Sequence, residues 1–219
     1  HAYDNPEFVW WAQAFASRGY AVFQPNFRGS TNRGQAFIDA GYNQWGRKMQ
    51  TDISDGLAEL ARRGIVDPKR ACIVGGSYGG YAALAGVTLQ QGLYRCAVSV
   101  AGVSDLKMMY AADNAAAGYS ESNWLELKRF LGDPSTYSDY SPRRHAAEAD
   151  APILLIHGKD DTRVDPKQSE VMADALKDAA KPYEFVVLDG EDHFLSRSAT
   201  RNQMLSATMA FVQKYNPAE

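Results

Sequence analysis

Five short runs in this chain read as strands, and most are apolar with little alternation between polar and apolar positions. They cover residues 20–24, 71–75, 96–100, 152–156 and 183–188. A strand with no polar face has to be covered on both sides. That is the signature of a parallel sheet packed between helices, not of an antiparallel sheet with one wet face. Helical patterns fall between the runs. Asn5 and Pro6 read as N-cap and first residue of an opening helix that Gly19 closes. Ile53, Leu57, Leu60 and Ala61 make an apolar stripe at helical spacing, residues 167–177 make another, and residues 193–215 contain the last. Strand and helix alternate, so the expected fold class is α/β: an open, mostly parallel sheet with helices on both faces. Residues 113–133, rich in Ala, Gly and Ser with Tyr119 and Trp124, form an excursion between strands. An insertion at a strand's carboxyl end is a natural wall for a substrate pocket.

Composition narrows the classes that remain. A chain of 219 residues suits one α/β domain. The 45% hydrophobic and 22% charged residues are those of a globular protein. A net charge of −3 gives no basic footprint, so neither nucleic acid nor an anionic membrane is expected as a partner. No apolar run approaches the roughly 20 residues of a spanning helix. Cys72 and Cys96 each sit in an apolar run and read as buried, free core thiols, which do not fix the compartment. The sequence opens abruptly at His1, without methionine or a signal-peptide pattern, so a longer parent or a processed product is expected.

The chemistry is concentrated in Gly75-Gly76-Ser77-Tyr78-Gly79, a G-x-S-x-G motif directly after the run at 71–74 and directly before the helix-like stretch at 80–85. Strand, tight turn and helix together make a nucleophile elbow, in which a serine hydroxyl projects above the sheet. The turn is strained, so its neighbours must be small; Gly75 and Gly79 are expected to let strand and helix approach. The helix N-terminus beneath offers free N–H groups, and the N–H of Tyr78 is placed to hold an oxyanion.

A seryl nucleophile needs a base, and the base needs an orienting carboxylate. Asp160 and Asp161 follow the run at 152–156, and His193 follows the run at 183–188. Loops after parallel strands share one edge of the sheet, so these side chains can converge with Ser77. Composition alone does not choose between Asp160 and Asp161. His157 ends its run and is expected to brace the loop by hydrogen bonds, whereas His145 is expected to be solvated or capping. No CxxC, HExxH, EF-hand or P-loop pattern occurs, so neither metal nor cofactor is implied.

These residues resemble the catalytic domain of the prolyl oligopeptidase family of serine peptidases. The resemblance runs through Gly19-Tyr20-Ala21-Val22, Asn26-Phe27-Arg28-Gly29-Ser30, Gly75-Gly76-Ser77-Tyr78-Gly79-Gly80-Tyr81, residues 155–164 and His193, covering nearly the whole chain. It implies an α/β-hydrolase fold, a Ser77–His193–Asp161 triad with Asp161 four residues after His157, and short peptides as substrates. It implies Arg163 as a ligand for a substrate carbonyl, with an ordinary surface ion pair as the alternative. Leu106, Met109 and Tyr119 are candidates for the pocket wall, with core packing the alternative for Leu106 and Met109. It further implies that residues 1–219 are the C-terminal part of the catalytic domain. The family's β-propeller, its N-terminal strands and the loop giving a second oxyanion donor are absent from this sequence. A central strand is therefore expected on another stretch of polypeptide, in cis or as a second chain, between the runs at 20–24 and 71–75. An esterase or lipase on the same fold is the alternative activity, and a non-catalytic binding domain a further one.

Overall fold

The computed structural model describes Asp4 and residues 7–218. The expected cap at Asn5 and Pro6 lies outside the described residues, as does His1. In chain order the elements are α1 (Trp10–Ala16), α2 (Gln35–Asp39), α3 (Lys48–Arg62), β1 (Cys72–Gly76), α4 (Tyr78–Thr88), β2 (Cys96–Val100), α5 (Leu106–Ala116), α6 (Glu121–Leu131), β3 (Ile153–Gly158), α7 (Lys167–Asp178), β4 (Tyr183–Leu188) and α8 (Ser198–Tyr215). The strands form one parallel sheet in the order β1-β2-β3-β4. Every loop that leaves a strand's carboxyl end therefore opens on the same rim.

The apolar runs behave as a doubly covered sheet requires. Every residue of β2 and β3 is buried, while β1 and β4, at the edges, are only partly so. Successive residues serve opposite faces. Ile73, Ala97, Ile153 and Leu155 pack with Ala83, Leu84 and Val87 of α4 and with Met172, Ala173 and Leu176 of α7. Val98, Val100, Leu154 and Ile156 pack with Phe15 of α1 and with Met204, Met209, Phe211 and Val212 of α8. A third cluster joins Trp45, Met49, Tyr81, Val103, Leu106, Leu131 and Tyr137.

Three expectations need correction. Cys72 and Cys96 are not free thiols but form a disulfide. They are register partners on β1 and β2, with Cα atoms 4.8 Å apart, inside the range a disulfide spans. Register is a tertiary fact that two separate apolar runs do not reveal.

The run at 20–24 is not a strand. No backbone–backbone hydrogen bond involves residues 21–26 among the described residues, and Val22 and Phe23 are 41% and 43% exposed. Extended chain becomes strand only beside a ladder partner. Among the described residues β1 has such a ladder on one side only: Ser77 N–H donates to Val100 O, and Ala71 O accepts from Arg95 N–H. The N–H and C=O groups of Cys72, Val74 and Gly76 therefore point away from β2.

His145, expected to be solvated or capping, is half-buried in a kinked 3₁₀ segment (Pro142–Glu148), and its Nε2 is enclosed without a hydrogen-bond partner, so it is at most partly solvated.

Alkylating the denatured protein without reductant is expected to leave Cys72 and Cys96 unmodified. With reductant, peptide mass spectrometry should find both modified.

Candidate active site

β1 ends at Gly76 and α4 begins at Tyr78, so Ser77 alone makes the turn. It adopts φ 56°, ψ −119°, a conformation that costs a non-glycine residue on the order of 1–3 kcal/mol. Packing keeps it there. The Ser77 N–H donates to Val100 O at 2.8 Å, and its carbonyl accepts from Tyr81 N–H at 3.1 Å. A Cβ on Gly75 would stand 2.3 Å from Gly79 O, so strand and helix touch backbone to backbone. Of these two glycines the steric demand falls on Gly75: a Cβ on Gly79 would meet nothing within 4 Å. Gly80 carries a second close approach, 2.6 Å from a would-be Cβ to Gly102 Cα.

The Tyr78 N–H heads α4 with no intrahelical acceptor available to it. Its side chain is anchored beneath the turn. The ring lies 4.5 Å from Trp45, 5.2 Å from Phe27 and 5.8 Å from Tyr81. Burial, with the charge of Asp52 adding to it, pushes the phenol well above its usual range. An aromatic cluster thus clamps the backbone that presents this N–H.

At the end of β3 the structure separates the two candidate carboxylates. Asp160 is exposed; Asp161 is buried. Asp161 Oδ2 accepts from His193 Nδ1 at 2.7 Å, and Oδ1 accepts from the N–H groups of Arg163 (2.8 Å) and Val164 (2.9 Å). His157 braces the same loop. Its Nε2 donates to Val164 O at 2.9 Å, since a carbonyl can only accept, which leaves Nδ1 to accept from the Ser169 hydroxyl at 2.7 Å. That Nε2 also lies 3.3 Å from Asp161 Oδ2. Burial alone would push the Asp161 carboxyl up. The hydrogen bonds from His157, His193, Val164 and Arg163 outweigh it and hold the group well below the carboxylate range.

His193 reaches Asp161 because the loop after β4 turns back across the sheet end. Glu191 O accepts from Asp160 N–H at 3.0 Å, and Leu195 is buried among Val98, Val100 and Phe15. Among the described residues no hydrogen bond joins the Ser77 hydroxyl to His193, a looseness common in unliganded sites.

The proposed pocket residues divide. Met109 and Arg163 line a small cavity of about 60 Å³ with Val103, Asp113 and Val164. Arg163 is exposed, and its charge partly counters the burial that raises the Asp113 carboxyl. Leu106 is 1% exposed and belongs to the third core cluster, so it is a packing residue and not a pocket wall. Tyr119 is 77% exposed at the turn between α5 and α6 and lines neither cavity. A larger cavity of about 650 Å³ lies along residues 23–28 with Arg33, Phe37 and Asp52, and includes none of Ser77, Asp161 or His193. Among the described residues no group of three or more His, Cys, Asp or Glu is placed to hold a metal ion. Glu191, also buried in the loop after β4, is marked in the sequence only as an acidic residue shortly before a helix start.

The family profile described as "Prolyl oligopeptidase family" matches residues 6–217. Dipeptidyl aminopeptidase BIII of Pseudoxanthomonas mexicana is 31% identical over 96% of this chain and 31% of its own length. A puromycin-hydrolyzing peptidase of Mycobacterium tuberculosis superposes with a TM-score of 0.80 at 33% identity, covering 89% of this chain and 29% of that one. The acylaminoacyl peptidase of Pyrococcus horikoshii gives 0.77 at 27% identity, covering 89% and 32%. The chain thus spans about a third of the length of the relatives it matches.

Gly75→Ala is expected to destabilise by about 3 kcal/mol, the upper end for overpacking, while Gly79→Ala stays within about 1 kcal/mol of wild type; denaturant titration separates them. A second outcome concerns pH. The folded-state pKa of Asp161 is depressed, so its stabilisation is complete above the ordinary carboxylate value of about 3.9 and is lost as pH falls through and below it. The stability gap between wild type and Asp161→Asn should therefore be widest near neutrality and narrow below about pH 4. Denaturation at both pH values measures it.

Proposed function

The chain belongs to the prolyl oligopeptidase family and has an α/β-hydrolase fold, and from that premise we propose that it is the C-terminal part of the catalytic domain of a serine peptidase acting on short peptides. The observation that carries this reading is the 2.7 Å contact between His193 Nδ1 and Asp161 Oδ2 on the rim where Ser77 sits in its strained turn. A buried, ionised carboxylate holds the proton on Nδ1. That leaves Nε2 as the basic nitrogen and stabilises the imidazolium when it forms.

In this mechanism Ser77 Oγ attacks the carbonyl carbon of the scissile amide while His193 Nε2 takes the hydroxyl proton. The carbonyl oxygen becomes an oxyanion and accepts from Tyr78 N–H. Its collapse breaks the C–N bond, and His193 returns the proton to the leaving amine. Water, deprotonated by the same nitrogen, then attacks the acyl-enzyme ester, and Ser77 leaves with its proton restored. Each oxyanion donor is worth roughly 10²–10³ in rate. Arg163 and Met109 are the residues proposed to meet the acyl side of the peptide, on the small cavity they share.

The same reading assigns a partner to β1. The outward N–H and C=O groups of Cys72, Val74 and Gly76, and the unladdered backbone at 21–26, fit a strand from the rest of the polypeptide lying between them, in cis or as a second chain. That segment would bring the second oxyanion donor.

Fluorophosphonate labelling of the complete protein is expected to stop in Ser77→Ala and to fall at least about 10³-fold in His193→Ala. Labelling that survives Ser77→Ala removes the nucleophile. Parallel turnover of a peptide amide and a simple ester distinguishes a peptidase from an esterase, and ester turnover without amide cleavage would favour the esterase.

A further inference from the structure

We propose that Glu191 is a positioning residue, whose buried carboxylate fixes the loop after β4 and so sets the approach of His193 to Asp161 and Ser77. This rests on the triad reading above and adds a residue to it.

Glu191 is 0% exposed. A buried carboxylate is costly unless well supplied with donors, and this one is. Oε1 accepts from Asp192 N–H at 3.0 Å and from Arg197 N–H at 3.4 Å. Oε2 accepts from Arg197 N–H at 3.3 Å and from the Thr200 hydroxyl. These donors include the amino end of α8, which has no side-chain cap at Arg197. The positive end of the helix dipole favours an anion there.

The main chain of Glu191 reaches the other way. Its carbonyl accepts from Asp160 N–H at 3.0 Å and packs so tightly on Gly158 that a Cβ there would lie 2.4 Å from it. Its N–H donates to Leu188 O at 3.3 Å. One residue thus joins the ends of β3 and β4 to the start of α8, one position from Asp161 on the first side and two from His193 on the other.

Beyond His193 the loop is pinned again. Asp192 Oδ1 accepts from Phe194 N–H at 2.9 Å and Oδ2 from the Ser196 hydroxyl at 2.7 Å, and Leu195 is buried in the core. His193 sits at the crest between two anchors, and the Glu191 side is the one tied to the carboxylate loop. A slip there moves His193 relative to Asp161, and a displacement of about 1 Å can cost about 10² in rate.

The test compares Glu191→Ala, Glu191→Gln and Thr200→Val in the complete protein, with kcat, KM and melting measured for each. Glu191→Ala is expected to lower kcat about 10²-fold while KM stays within about threefold, and Glu191→Gln, which keeps an acceptor of the same reach, to recover to within about fivefold of wild type. A folded Glu191→Ala with kcat within about threefold of wild type overturns the proposal, as does equal loss in the alanine and glutamine variants. If the alanine variant does not fold, Thr200→Val decides: kcat lower by about fivefold or more at constant KM supports, and unchanged kcat overturns. The low-field proton resonance of His193 Nδ1–H gives a reading independent of turnover. Its loss or broadening in Glu191→Ala, or in Thr200→Val should the alanine variant not fold, supports the proposal, and an unchanged signal overturns it. A wild-type protein that neither labels nor hydrolyses would sink the functional reading, while this resonance still judges Glu191.

Discussion

The absence of a Cβ at Gly75 is what allows β1 to run into α4 with one residue between them. Backbone lies on backbone at Gly79, and Ser77, the one residue that closes so short a turn, is carried into positive φ. The strain at Ser77 is a consequence of that contact, offset by the burial of α4 against the sheet. Residues 80–88 of α4 are all buried, so the helix cannot withdraw to relax the turn. The hydroxyl is thereby fixed at the rim by packing far from it. Tyr78, the next residue, is held by aromatic contacts on its side chain and leaves its N–H free at the helix start.

Two buried carboxylates organise the facing loops. Asp161 is served by His193 and two backbone N–H groups, with His157 close by. Glu191 is served by two backbone N–H groups and a hydroxyl. In an enclosed setting each such bond is stronger than in water, and each missing one is more costly. Neither carboxylate is neutralised by a lysine or arginine side chain among the described ion pairs. Dipoles and imidazoles replace a salt bridge, and they fix direction as well as charge.

Much of this was legible along the chain. The runs at 96–100, 152–156 and 183–188 became β2, β3 and β4 with boundaries within two residues, because an apolar run without alternation has few places to go except the middle of a covered sheet. The stripe at Ile53, Leu57 and Leu60 became α3. The elbow, the loop after 152–156 and the histidine after 183–188 reached one rim because strand direction is common to a parallel sheet. The run at 20–24 had the composition of a strand but has no ladder neighbour among the described residues, and composition does not report neighbours. Leu106 illustrates the same limit: an apolar residue near a candidate pocket is drawn inside when a cluster such as Tyr81 and Tyr137 is there to receive it.

What the sequence determined by itself is most of the periodic part: that the apolar runs from 71 onward are strands, that these strands are parallel, and that a serine, a carboxylate and a histidine leave the sheet on the same side. These follow from local rules of burial and turn chemistry, which act over a few residues. Tertiary structure decided the pairings between distant residues: Asp161 over Asp160 for His193, Cys72 with Cys96, Glu191 against Asp160 and Thr200. Such choices turn on a register or a side-chain direction, and a shift of one residue reverses either. Only the assembled sheet, by setting which backbone lies against which, removes that freedom.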